Sequence, residues 1–176
     1  MEHPKMEIGI MYRREYPPEG LAAFARRAGA LGEGLRRRFK LSPGDRVALA
    51  SVGDSRIYRM RDGSLELLTQ DDTWLATVLG IKEAEEAHPE HPLRHVLTSV
   101  VGTKDDVKPG AREEALQPGD RFVMCTDGVH GKLDLTTLTR LLASTTSAQD
   151  GATTIVDEAI TRGTTDNATA LVINVT

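Results

Sequence analysis

The chain has 176 residues, which is enough for one globular domain that buries roughly two-thirds of its unfolded surface. Apolar residues make up 39%, charged residues 27%, and the net charge is −4, so composition favours neither a disordered chain nor a nucleic-acid-binding surface. No apolar run approaches the ~20 residues of a membrane helix, and the single cysteine cannot form an internal disulfide. Together with the composition, these features predict a cytoplasmic protein that neither spans a membrane nor binds nucleic acid.

Residues 1–43 are predicted to contain one strand and one helix. A short apolar stretch at residues 7–12 favours a strand. Across residues 20–39 apolar side chains recur near the helical period, and arginines occupy the positions between them. We interpret the basic side of this helix as a solvated face rather than a membrane or nucleic-acid site, because the whole chain is acidic.

The next part of the chain, residues 44–69, is predicted to form an antiparallel meander. Turn residues at Gly53-Asp54-Ser55 and at Asp62-Gly63 separate three apolar stretches. The three predicted strands are residues 46–52, 56–61 and 64–69.

The remainder alternates between helical and strand patterns, and this succession in blocks predicts an α+β fold. Helices are predicted at 74–80, 82–87, 133–143 and 151–160, and loops at 88–92 and 102–110. Asp134 or Thr136 is the expected cap of the third helix. The strands expected here are 121–125 and 168–175.

Two carboxylates lie where predicted strands begin or end. Asp127 follows an apolar strand directly and precedes Gly128, whereas Asp166-Asn167 precedes the closing strand. Converging carboxylates at strand ends suit a hard cation such as Mg²⁺ or Mn²⁺. Asp-Gly and Asp-Asn are also ordinary turn dipeptides, so a structural interpretation stays open.

Five motifs occur in a characteristic order between residues 44 and 176. They are Val-Gly-Asp-Ser-Arg (52–56), Leu-Thr-Gln-Asp-Asp (68–72), His-Pro-Leu-Arg-His-Val-Leu-Thr (91–98), Pro-Gly-Asp-Arg-Phe-Val-Met-Cys-Thr-Asp-Gly (118–128) and Thr-Asp-Asn-Ala-Thr (165–169). Their order and spacing resemble the bacterial PPM-type (type 2C) metal-dependent serine/threonine protein phosphatases. The resemblance implies an α-β-β-α sandwich of antiparallel sheets flanked by helices.

The resemblance also implies roles for individual residues. It makes Asp127 and Asp166 ligands of a two-metal site that holds Mn²⁺ or Mg²⁺, and it makes Asp54 and Arg56 part of the scaffold. The family's N-terminal half contributes a phosphate-gripping Arg and further acidic metal ligands, for which this chain has no matching segments. We therefore expect a reduced metal site in an N-terminally truncated phosphatase domain, with residues 1–43 as an atypical leading segment.

Three further features are candidates for chemistry. Cys125 lies two residues before Asp127, so an extended strand would place both on one face, where Cys125 is either a nucleophile or a buried apolar thiol. His130 is a general acid/base, a ligand or a solvated loop residue. The third feature, a group formed by His88, His91 and His95, fits no firm metal template.

These observations leave three functional hypotheses open. The first is a hydrolase that cleaves phosphate esters with the reduced metal site. The second is a metal-independent hydrolase of neutral esters, phosphotriesters or carboxyl esters, which acts through Cys125 or His130 without a cofactor. The third is an inactive binding module that recognises a partner or phosphopeptide. Because the missing half would leave strand edges uncovered, we also expect a homodimer.

Overall fold

The structure of the chain, a computed structural model, describes residues 6–13, 46–74, 76, 96–98 and 109–176. The strands in these ranges are β1 (Met6–Arg13), β2 (Arg46–Ser51), β3 (Arg56–Arg61), β4 (Ser64–Leu67), β5 (Gly110–Ala115), β6 (Arg121–Cys125) and β7 (Ala168–Val175). The helices that lie wholly within these ranges are α1 (Asp127–His130), α2 (Leu135–Ala143) and α3 (Ala148–Thr161). Within these ranges, no helix has the length and apolarity that a membrane crossing requires.

Five strands form one antiparallel sheet in the order β1-β7-β6-β3-β4. Successive side chains of a strand point to opposite faces, and β6 shows this clearly. Val123 and Cys125 pack in one core with helices α2 and α3, whereas Phe122 packs in a second core with Leu49 of β2. The sheet therefore lies between a helical layer and a second sheet.

The second sheet consists of β2 paired with β5, and it corrects the predicted meander. The hairpin of β3 and β4 is confirmed, with Asp62 and Gly63 both at positive φ in its turn. The pairing of β2 with β3 is wrong, because the chain passes from one sheet to the other between these strands. Apolar periodicity identifies a strand but does not say which of two stacked sheets the strand joins.

Strand β5 was not predicted, because its charged residues resemble a loop. In the structure those charges are paired: Glu114 lies 2.6 Å from the guanidinium of Arg59 on β3, and Glu113 lies 3.0 Å from Arg46 on β2. Ion pairs across and between the sheets thus take the place of the apolar alternation that usually marks a strand.

The remaining predictions divide into confirmed elements and elements outside the described residues. Strands at 7–12, 121–125 and 168–175 are confirmed, as are the helices predicted at 133–143 and 151–160, with shifted starts. Trp74 and Ala76 are helical, as predicted for that segment. The helices 20–39 and 82–87 and the loop 88–92 lie outside the described residues, as does 102–108.

The α+β class is confirmed, and the described residues form three of the four layers of an α-β-β-α sandwich. The boundary between residues 43 and 44 stays a prediction. Strand β1 precedes that boundary, yet all eight of its residues pair with β7 in the main sheet.

Candidate active site

A cavity of about 560 Å³ opens at one end of the main sheet. Its wall contains both predicted acids, Asp127 and Asp166, together with His130. The other lining residues are Asp54, Arg56, Asp71, Thr73, Leu97, Gly128, Gly131, Lys132, Thr164 and Thr165.

Two neighbouring strands bring the acids together. Strand β6 ends at Cys125 and the adjacent antiparallel strand β7 begins at Ala168, with Cys125 opposite Ala170, so the chain leaves β6 where it enters β7. Residues just outside the two strands therefore meet at the same end of the sheet. This places Asp127 and Asp166 in the wall of one cavity, although they are far apart in the sequence.

The hydroxyl of Thr126 fixes the two segments to each other. Its Oγ1 donates to the carbonyl oxygen of Asn167 at 3.0 Å and accepts from the backbone N–H of Thr169 at 3.1 Å. The backbone N–H of Thr126 also donates to the carbonyl of Thr169 at 3.2 Å. Sequence reasoning quoted Thr126 within a motif but gave it no role, because its partners lie 41 and 43 positions away in the sequence.

Gly128 is required by close packing rather than by an unusual backbone angle. A Cβ atom at this position would lie 2.4 Å from the carbonyl oxygen of Asn167, well inside contact distance. The sharp turn predicted after Asp127 is instead one turn of helix, α1, with Thr126 at its N-cap position. Without a side chain at residue 128, this turn can lie directly against the Asp166 segment.

Both carboxylates are held by the backbone beside them. Asp127 Oδ1 accepts from the N–H of Gly128 at 2.9 Å, and Asp166 Oδ1 accepts from the N–H of Asn167 at 2.6 Å. In the described part of the chain, no three His, Cys, Asp or Glu side chains are grouped as a metal cluster. The donor set fits a hard cation bound through one or two carboxylates, a mode in which Mg²⁺ keeps several waters.

Arg56 and Asp71 form a buried ion pair in the cavity wall. Arg56 Nε lies 3.1 Å from Asp71 Oδ1, and Nη2 lies 3.0 Å from Oδ2, with both residues at most 5% exposed. Burial alone would lower the pKa of Arg56, but the hydrogen bonds to Asp71 and the nearby Tyr58 outweigh it and raise the pKa. This bidentate pair gives Arg56 a scaffold function and adds Asp71, which sequence reasoning missed.

The turn that precedes β3 is held from the Leu-Thr-Gln-Asp-Asp motif. Asp72 Oδ2 accepts from the N–H of Gly53 at 3.0 Å, and the N–H of Asp72 donates to the carbonyl of Gly53 at 2.8 Å. Gly53 has a φ of 93°, in the region that favours glycine. The first two motifs are thus one structural unit, joined by Asp72.

His130 lines the cavity, and its ring is engaged. Nε2 lies 3.0 Å from the carbonyl oxygen of Asp54; because a carbonyl only accepts, Nε2 carries the proton. Burial, followed by the positive charge of Arg56, lowers the pKa of His130 to about 4. The ring is therefore neutral near pH 7, which favours a positioning function over proton transfer.

Cys125 lies in the core rather than in the cavity. It is 3% exposed among core residues such as Val123 and Val129, and burial raises the pKa of its thiol to about 12. The predicted shared face with Asp127 is wrong, because the strand ends at Cys125 and Asp127 begins α1. This environment opposes thiolate formation. His88, His91 and His95 lie outside the described residues.

The chain matches one protein family over most of its length. Residues 42–176 match the family model described as Stage II sporulation protein E (SpoIIE). The serine/threonine protein phosphatase PstP of Mycobacterium tuberculosis is 34% identical over 137 residues, which cover 77% of this chain and 26% of that protein. A putative protein phosphatase 2C-type of Streptococcus pyogenes is 30% identical over 71% of this chain and 51% of its own length.

Solved structures agree with this relationship. PppA, a key regulatory component of T6SS in Pseudomonas aeruginosa, superposes with a TM-score of 0.67 at 30% identity, over 77% of this chain and 54% of that one. The catalytic domain of PstP in complex with two manganese ions gives a TM-score of 0.64 at 31% identity, over 77% and 56%. The chain thus spans about half the length of these solved chains.

Proposed function

Since this chain belongs to the SpoIIE family of type 2C phosphatase domains, we propose that it hydrolyses phosphate esters at the cavity lined by Asp127 and Asp166. The observation that carries the proposal is that these two acids, predicted from separate motifs, line one cavity. The substrate class we propose is phosphoserine or phosphothreonine in proteins, because the relatives bear the name serine/threonine phosphatase.

Asp127 and Asp166 are the residues we propose to hold Mn²⁺ or Mg²⁺, a smaller ligand set than the resemblance implies for a two-metal site. When bound, such a cation supplies neutralisation of the charge on the phosphoryl oxygens. The chain's own residues keep the site in place. Thr126 fixes the loop that carries Asp166, and His130 joins α1 to the backbone at Asp54.

The test is hydrolysis of a phosphothreonine peptide before and after chelation, with Mn²⁺ added back. We expect EDTA to abolish turnover and Mn²⁺ to restore it, and we expect Asp127→Asn to lose about a hundredfold or more of the rate. Asp157→Asn is the matched control, because Asp157 is an exposed acid on α3 away from the cavity. Full activity of Asp127→Asn would contradict the proposal.

The same assay distinguishes the two other hypotheses. Turnover of a phosphotriester or carboxyl ester that resists EDTA would replace the proposal with a metal-independent hydrolase. Saturable binding of the phosphopeptide without turnover of any ester would replace it with a binding module.

We further propose that the chain forms a homodimer. Among the described strands, β1 and β4 each have one neighbour, and β2 and β5 pair only with each other, so within the described residues both sheets end in open edges. Open edges favour pairing with another chain. We expect light scattering at micromolar concentration to give twice the mass of one chain, and a monomer mass would contradict this prediction.

A further inference from the structure

The cavity wall is rich in negative charge. Its carboxylates are those of Asp54, Asp71, Asp127 and Asp166, of which Asp71 is neutralised by its ion pair with Arg56. A phosphomonoester is itself close to a dianion at neutral pH, because its second pKa is about 6. A cationic side chain in the cavity wall would offset this repulsion between like charges and would favour binding of the phosphoryl group.

Two of the basic residues in the wall are already engaged. The guanidinium of Arg56 is bidentate with Asp71, and Arg56 is only 3% exposed. The ring of His130 donates to the carbonyl of Asp54. Neither side chain is free to reach a ligand in the cavity.

Lys132 is placed differently. It lines the cavity, it is exposed, and it forms no ion pair with the residues that the structure describes. Its backbone is fixed close to Asp127, because the N–H of Lys132 donates to the carbonyl of Val129 at 3.0 Å and that of Gly131 donates to the carbonyl of Asp127 at 2.8 Å. Lys132 thus carries an ammonium group on a flexible four-carbon stem, and it lines the same cavity as Asp127, one of the proposed metal ligands.

We propose that Lys132 Nζ binds the non-bridging oxygens of the substrate's phosphoryl group and gives the site its preference for phosphomonoester dianions. This inference deepens the proposed function and rests on it for the reaction, although anion binding can be measured without turnover. Lys132 is then a substrate-binding residue in a chain that has no segment matching the family's phosphate-gripping Arg.

Inorganic phosphate is the binding probe, measured by calorimetry with Mn²⁺ present. We expect Lys132→Gln to weaken phosphate binding about tenfold, because a charge-assisted hydrogen bond is lost. Lys132→Arg keeps the charge and should retain most of the affinity. Arg140→Gln is the matched control: it removes one positive charge from an exposed position on α2 outside the cavity.

Kinetics give a second readout. We expect Lys132→Gln to raise the KM for p-nitrophenyl phosphate about tenfold. The KM for the monoanionic bis(p-nitrophenyl) phosphate should change much less. The variant should therefore show a smaller preference for the monoester than the wild-type chain. Arg140→Gln should keep the wild-type preference.

The outcomes separate this inference from the proposed function. Turnover that depends on metal, combined with unchanged phosphate binding and unchanged ester preference in Lys132→Gln, would overturn the inference and leave the proposed function standing. Absence of turnover in the wild-type chain, combined with phosphate binding that Lys132→Gln weakens, would overturn the function and support Lys132 as the anion ligand. A wild-type chain that binds no phosphate would overturn the inference.

Discussion

At the scale of single residues, Gly128 has less room for a side chain than Gly131, the other glycine of the cavity wall. We predict that Gly128→Ala destabilises the protein by about 1–3 kcal/mol, because the new methyl group would overlap the carbonyl of Asn167 and the backbone on one side must move. The displaced segment carries Asp166, so the proposed phosphatase activity should fall as well. Urea unfolding and the phosphopeptide assay measure the two effects.

Gly110→Ala is the matched control for that substitution. A Cβ atom at Gly110 would meet the hydroxyl of Ser51 at 3.5 Å and the carbonyl oxygen of Ser51 at 3.9 Å, both ordinary contacts, and the residue does not have a positive φ. We expect its free energy of unfolding to stay near the wild-type value. If Gly128→Ala kept the wild-type free energy of unfolding, the contact with Asn167 would not limit the size of the side chain at residue 128.

Two acids of the cavity wall, Asp127 and Asp166, could be singled out from the sequence. As turn dipeptides they left a structural interpretation open, and it was the family resemblance of their motifs that made them candidate metal ligands. The pairing of residues that are distant in sequence could not be predicted: Asp71 meets Arg56 across 15 positions, and His130 meets Asp54 across 76. Local periodicity contains no information about such pairs.

At the scale of elements, the start of α3 depends on a cap that the apolar pattern does not reveal. The helix begins at Ala148, three residues before its predicted start, because Ser147 accepts from the N–H of Asp150 at 3.0 Å. Glu7 of β1 supports the same turn by accepting from the N–H of Ala148 at 3.1 Å. Strand β1, near the beginning of the sequence, thus helps to stabilise the N-terminus of α3.

We predict that Ser147→Ala lowers the free energy of unfolding by about 1 kcal/mol, because one N-terminal N–H of α3 loses its acceptor. Ser147→Asp is the control, since an aspartate caps equally well and its charge is favourable at a helix N-terminus. Thermal or urea unfolding measures both variants. An equal loss of unfolding free energy in the two variants would mean that capping by residue 147 does not contribute to stability.

At the scale of the whole molecule, one ion pair joins several strands. Arg61 of β3 is bidentate with Asp120, at 2.6 Å for both contacts, and also donates to the carbonyl of Ala115 at the end of β5. Asp120 is 1% exposed and accepts from the N–H of Gln117 at 2.8 Å. Burial opposes ionisation of Asp120, but the bonds from Arg61 and Gln117 outweigh it and lower its pKa.

This shift predicts a pH dependence of stability. Because the folded-state pKa of Asp120 lies below the unfolded value of about 3.9, the pair contributes fully above that value and its contribution is lost as the pH falls through the folded pKa. We expect Asp120→Asn to have a lower free energy of unfolding than wild type at pH 7. Below about pH 4, the free energy of unfolding of this variant should decline less steeply than that of wild type. Unfolding by urea from pH 7 to pH 2 measures this, and parallel curves would contradict it.

The fold as a whole could be predicted to the level of its class and most of its strands. The arrangement of the two sheets could not, because β2 and β3 have similar apolar patterns but belong to different layers. Strand β5 was missed for a related reason: Glu114 is satisfied by Arg59 from the facing sheet, a contact that exists only after the layers are assembled.

The bond between Thr126 and Asn167 spans 41 positions of sequence, and those positions include all of α1, α2 and α3. The distance between Asp127 and Asp166 is set where β6 meets β7, so it does not depend on the length of the helical segment that lies between them in the sequence. Insertions at the exposed turn around Gly163 or between the helices can therefore accumulate during evolution without separating the acids. Alignments of distant relatives should accordingly be anchored on the two strand ends rather than on the helices.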